Sequence, residues 1–165
     1  MQSHTKQIAM LSLFAALAIG IHGLESMIPA LIPIPGIKLG LANIITLIVL
    51  KKYDFKSAAL VLTVRIFLSA ILFGGMMSFA YSAFGGAVCL TGEYLIDRFF
   101  KGKALYITAI FGAVLHNTAQ LLVAIGFTNT PGVLLYAPYL VISGIVTGLL
   151  TGVAAYFSLK LLEKV

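Results

Sequence analysis

The chain has 165 residues, 61% of them hydrophobic and 10% charged, with a mean hydropathy of +1.08 and a net charge of +6. These values exclude an ordinary soluble domain and leave an all-α integral membrane protein, read as one transmembrane domain over residues 1–165. The cations gather at the ends of apolar runs, as membrane topology requires, so nucleic acid is excluded as a partner; a single cysteine, Cys89, excludes a disulfide framework.

Six spans are expected, each needing about 20 residues to cross a bilayer, at 6–24, 39–51, 56–74, 78–96, 104–127 and 133–162. The first has no clear cleavage site after it and is expected to stay in place as a transmembrane helix. Ser12, Ala16 and Gly20 recur along it every four residues, a small-residue stripe that either packs inside the bundle or docks a separate membrane subunit. Its outer end carries His22 and Glu25, too few for a metal site, with no third ligand at compatible spacing. Glu25 is expected to pair with Lys38 or Arg65.

Pro29, Pro33, Pro35 and Gly36 then break helix at membrane depth or shape a re-entrant loop, and the second span is short. Gly36 and Gly40 let a ligand come close to the backbone, and the amides opening the second helix favour an anion. Lys38 either supplies a point charge to that ligand or snorkels to the headgroups. Asn43 serves the ligand or a neighbouring helix.

Arg65 sits near the middle of the third span, which holds no acidic residue. A cation there costs about 2.5 to 3.5 kcal/mol even on lenient insertion scales, so a watery cavity, a partner on another helix or an anionic ligand must compensate it. In the fourth span Ser78, Ser82, Gly85 and Gly86 form a small, slightly polar face able to line a cavity, while Glu93 and Asp97 are expected to make a polar seam with Arg98 or Lys101. The fifth span contains His116, Asn117 and Gln120. His116 and Gln120 share a helical face and Asn117 lies about 100° round from His116. The three either floor a ligand site at the depth of Arg65 or hydrogen-bond between helices. In the sixth span Gly144, Gly148 and Gly152 form a second stripe, for which internal packing is the leading reading.

Lys6, Lys51, Lys52, Lys56, Arg98, Lys101, Lys103, Lys160 and Lys164 fall on one side of a six-span arrangement, and Lys38 alone on the other. That asymmetry predicts a multi-pass protein of the cell membrane with both termini cytoplasmic. No Asp-rich cluster able to hold magnesium on a diphosphate is present, nor a P-loop. No catalytic residue, metal or cofactor is therefore expected, and energy for transport would have to come from partner ATPases.

The run Pro-Gly-Ile-Lys-Leu-Gly-Leu-Ala-Asn at 35–43, Arg65 followed by Phe-Gly-Gly at 73–75, Ser82 with Gly85 and Gly86, and Gly-Ala-Val-Leu-His-Asn-Thr-Ala-Gln at 112–120 resemble the Gx transporter family. Its members often carry the label heptaprenyl diphosphate synthase component I, and they are similar to the S components of energy-coupling factor (ECF) transporters. The resemblance implies a six-helix bundle that joins a transmembrane T component and two ATPase subunits. It also implies that the Ser12, Ala16, Gly20 face grips that scaffold, although a strict Ala-xxx-Ala pattern is absent. The expected function is a substrate-binding subunit for an anionic, partly apolar small molecule, flavin-like or isoprenoid-phosphate-like. Arg65 and Lys38 would neutralise it, His116, Asn117 and Gln120 would bind its polar head, and Asn43, Glu25, Ser82, Gly36 and Gly40 would complete the site. The alternative is a membrane-embedded component of polyprenyl (heptaprenyl) diphosphate synthesis.

Overall fold

The computed structural model describes residues 4–27 and 40–164. Within them the chain forms α1 (His4–Met27), α2 (Asn43–Lys52), α3 (Phe55–Ser69), α4 (Gly75–Phe99), α5 (Leu105–Thr128) and α6 (Ala137–Leu162). A π-helical turn, Ala70–Gly74, links α3 to α4, and a 3-10 turn, Pro131–Tyr136, leads into α6.

Local chemistry sets the boundaries. Asp54 caps α3, its Oδ1 accepting the Ser57 amide at 2.7 Å. The π turn ends at Gly75, whose φ of 69° and ψ of −169° belong to a region open essentially to glycine alone. There the chain reverses. Phe67 meets Phe79 at 5.2 Å between ring centres, Phe55 meets Tyr94 at 5.0 Å, and Gly86 lies against Leu62 and Ile66, so α3 and α4 run antiparallel. Asn129, in the left-handed conformation, ends α5, and proline near the start of both the 3-10 turn and α6 costs no helical hydrogen bond.

Among the described residues, four helical stretches are long and apolar enough to cross a membrane: His4–Met27, Phe55–Phe99, Leu105–Thr128 and Pro131–Leu162. This differs from the six expected spans in two places. The expected third and fourth spans form one stretch, folded at Gly75. The expected second span is a helix of 10 residues, about 15 Å long against a hydrocarbon core of about 30 Å. Helix α2 is tolerated at that length because the others wall it off: Asn43 and every residue from Ile45 to Leu50 are buried. Non-spanning backbone at membrane depth is stable only where protein, not lipid, surrounds it.

Around this post the core gathers Leu11 and Phe14 of α1, Val61 and Leu62 of α3, Leu90 of α4 and Ala155 of α6. The outer faces carry Leu17, Phe67, Ile71, Phe84, Leu95, Ile142 and Leu150, all exposed. Such broad apolar exposure suits acyl chains and not water.

Candidate functional site

Three polar side chains from three helices form a buried chain at one depth. Arg65 of α3 donates from Nη1 to Asn43 Oδ1 at 3.2 Å, and Asn43 Nδ2 lies 3.2 Å from His116 Nδ1. A guanidinium only donates, so Asn43 accepts through its oxygen and has only its NH2 left for the imidazole. His116 Nδ1 is then the acceptor, which places the proton of the neutral ring on Nε2. Counting from the ends of their helices, Asn43, Arg65 and His116 lie about 14 to 17 Å from the level of Lys52, Phe55 and Leu105.

Two glycines hold the imidazole between them. A Cβ built on Gly40 would lie 3.2 Å from His116 Cδ2, and one on Gly85 would lie 2.8 Å from Cε1. Gly40 also needs its φ of 76° to turn the chain into α2, where its carbonyl accepts the Asn43 amide at 2.9 Å. Its own amide donates to Glu25 Oε1 at 2.5 Å, tying the outer end of α1 to the start of α2. Glu25 is thus bonded to the backbone beside the site.

Arg65 is 3% exposed, and its Nε has no hydrogen-bond partner among the described residues. The acidic groups near enough to act on it electrostatically are Glu25 and Glu93. Gln120 is buried beside Gly85 and His116 with Oε1 unbonded. Asn117 points elsewhere: its Nδ2 donates to the Leu140 carbonyl at 2.9 Å and locks α5 to α6. Ser82 is half-buried on α4. Lys38 and Gly36 lie outside the described residues.

The two small-residue stripes face opposite ways. Gly144, Gly148 and Gly152 pack on Val114, Ile110 and Tyr106 of α5. Ser12, Ala16 and Gly20 are exposed, and a Cβ on Gly20 would meet nothing within 4 Å.

Asp97 pairs with Lys51 at 2.7 Å instead of with Arg98 or Lys101, because α2 and α4 end side by side; Arg98 instead donates to the Tyr94 hydroxyl at 2.8 Å. Glu93 turns inward to Gly112 and is not part of that surface seam. Sequence reasoning passed over Ser69, buried with an unbonded Oγ one turn beyond Arg65, and Thr46 of α2, in the same condition. The spacing of four from Arg65 was the available signal for Ser69.

A family model described as heptaprenyl diphosphate synthase component I matches residues 14–158. The chain belongs to that family. No curated protein and no solved structure matches it. In this component I family member the matched region runs from within α1 to within α6, so Arg65, Asn43, His116, Gln120 and Glu93 all fall inside it, whereas Ser12 lies just before it.

Proposed function

We propose that this component I family member is the substrate-binding membrane subunit, the S component, of an ECF-type transporter for an anionic, partly apolar small molecule. One observation carries the reading: a guanidinium buried at mid-bundle, hydrogen-bonded to a neutral amide and with Nε unbonded among the described residues. Its Nε is left without an acceptor among the described residues, and an anion entering from the Glu25–Gly40 end would supply one. Asn43, His116 and Gln120 offer the hydrogen-bonding surface around that anion, with Lys38 as a second cation. The absence of a P-loop from the sequence fits a subunit energised by others, a T component and two ATPases. The exposed Ser12, Ala16, Gly20 face supports such a contact, since a smooth outward stripe lets another helix approach closely. In this reading the α3–α4 hairpin crosses the bilayer twice, and both termini are cytoplasmic.

Native mass spectrometry of detergent-purified protein, followed by titration with flavin mononucleotide and with a prenyl diphosphate, tests the proposal. Arg65→Ala should weaken binding of the accepted anion by tenfold or more, since a hydrogen bond to a charged group contributes about 1.5 to 3 kcal/mol. Equal affinity in Arg65→Ala would remove Arg65 from the site. Co-purification of a prenyltransferase subunit in place of two ATPases, with magnesium-dependent turnover of allylic diphosphates, would replace transport by synthesis.

A further inference from the structure

A second buried polar group lies between the Arg65 chain and the Lys51–Asp97 end of the bundle. Glu93 of α4 is 1% exposed and its Oε2 has no hydrogen-bond partner among the described residues. Gly112 of α5 makes room for it: a Cβ there would lie 2.6 Å from Glu93 Oε1 and 2.9 Å from Cδ. Gly86 lets α4 come close to Arg65, with a built Cβ 3.5 Å from Nη2.

Charged and titratable groups surround Glu93. From α3 it faces Arg65, and on α4 it has Cys89 and Asp97 as neighbours. Helix α2 contributes Lys51, which holds Asp97. Helix α5 presents Gly112, with His116 one turn further on beside Asn43. Glu25 of α1 also acts on Arg65.

One permanent cation therefore stands against two buried carboxyl groups, and Glu25 is already engaged with the Gly40 amide. An anion docking on Arg65 raises the acidic groups around that cation to three. An uncompensated buried charge is strongly unfavourable in a low-dielectric interior. A proton on Glu93 offsets the charge that the anion brings, and Oε2 is an open position for it. Asp97, one turn nearer the charged end, gives a polar connection to solvent, its side chain being 23% exposed.

We propose that Glu93 is a proton-binding site that fills when an anion occupies Arg65, so that anion and proton bind together. The proton comes from solvent, converts the Glu93 carboxylate to the acid as the anion enters, and leaves with the anion; no other bond changes. The inference rests on the anion-site reading of Arg65, and the test separates the two.

Infrared difference spectra of the detergent-purified chain against Glu93→Gln, a near-isosteric change, isolate the carboxylic acid C=O band of Glu93. Flavin mononucleotide serves as the probe anion. Its binding should move the pH at which that band disappears upward by about one unit or more, since proton and anion shift each other's affinity by the same factor. Wild-type affinity for the probe should fall as pH rises from the free to the bound midpoint, by tenfold in total for each unit that the probe moves the midpoint, and then level off, as one linked proton requires; this slope should vanish in Glu93→Gln. An equal slope in Glu93→Gln, or a band unmoved by bound probe, overturns the proposal. If the probe does not bind at any pH, the anion reading fails for that probe, and the ligand-free protein still decides the coupling. Arg65→Gln should then raise the midpoint of Glu93 while Arg65→Lys leaves it near wild type. No shift in Arg65→Gln would sever Glu93 from Arg65 and end the proposal.

Discussion

Asn43 is the residue on which the site's geometry turns, because one amide side chain serves a donor on α3 and an acceptor on α5 at once. Asn43→Ala leaves Arg65 Nη1 and His116 Nδ1 without these partners. At about 1 to 3 kcal/mol for each buried group left unsatisfied, the variant should lose about 2 to 6 kcal/mol, measured as a lower thermal midpoint in detergent. A midpoint equal to wild type would mean that water already serves these groups. The residue scale is also where the sequence was most readable. Arg65, Asn43, His116 and Gln120 announce themselves as polar side chains in apolar runs, and the structure brings all four into one interior. Glu93 and Ser69 carried the same signal but were read as seam and background. What decides their role is the direction in which each helix turns its face. That direction is hidden here, since the outer face of a membrane helix is as apolar as the inner one and leaves no amphipathic contrast to read.

Among the elements, α3 owes its start to an exposed carboxylate. The Ser57 amide holds the Asp54 carboxyl below its ordinary value, with burial opposing it. A folded value below the unfolded one means that the cap contributes above the ordinary carboxylate range and is lost as pH falls through the lowered value. Asp54→Ala should cost about 0.5 to 2 kcal/mol at neutral pH, and the difference from wild type should shrink on acidification below about pH 4. A constant difference across that range would show that the charge plays no part. The α5–α6 pair gives a sharper contrast. A Cβ on Gly148 would fall 2.5 Å from Ile110 Cα and 2.9 Å from the Ala109 carbonyl oxygen, backbone atoms that cannot step aside. Gly148→Ala should destabilise by about 1 to 3 kcal/mol, the usual range for overpacking, whereas Gly20→Ala should leave the thermal midpoint unchanged. Small-residue spacing revealed both stripes and favoured internal packing for the one on α6, which its glycine contacts with α5 bear out, but left the orientation of the α1 stripe open. The pairing partner decides orientation, and for the α6 stripe it is encoded in α5, away from the stripe itself. The shortness of the second span and a break between the third and fourth, at 74–78, were legible in the sequence, and Gly75 lies in that break. Apolar runs mark depth in the membrane and do not record that α2 is walled in by the other helices.

At the scale of the molecule, charge and contact agree on polarity. Lys51 reaches Asp97 and the Gly102 carbonyl, and Lys52 donates to the Leu162 carbonyl, so α2, α4 and α6 end together. Phe14 against Tyr53 and Gly23 against Phe73 set α1 parallel to α3, which brings Lys6 to the end that holds Lys56. The cationic end is one face of the bundle, and the Glu25–Gly40 contact with the turn at Gly75 marks the other. The family match runs from within α1 to within α6, consistent with the multi-pass membrane character that composition announced.

Burial of Cys89 has a practical corollary. With its one native thiol packed out of reach between helices, the chain is already a silent background for site-directed maleimide labelling. Thr130→Cys should react in intact cells with an impermeant reagent, and Lys101→Cys only after permeabilisation, if the cationic face looks inward as its lysines and arginine demand. The reverse pattern would turn the protein over in its bilayer and put the mouth beside Glu25 in the cytoplasm.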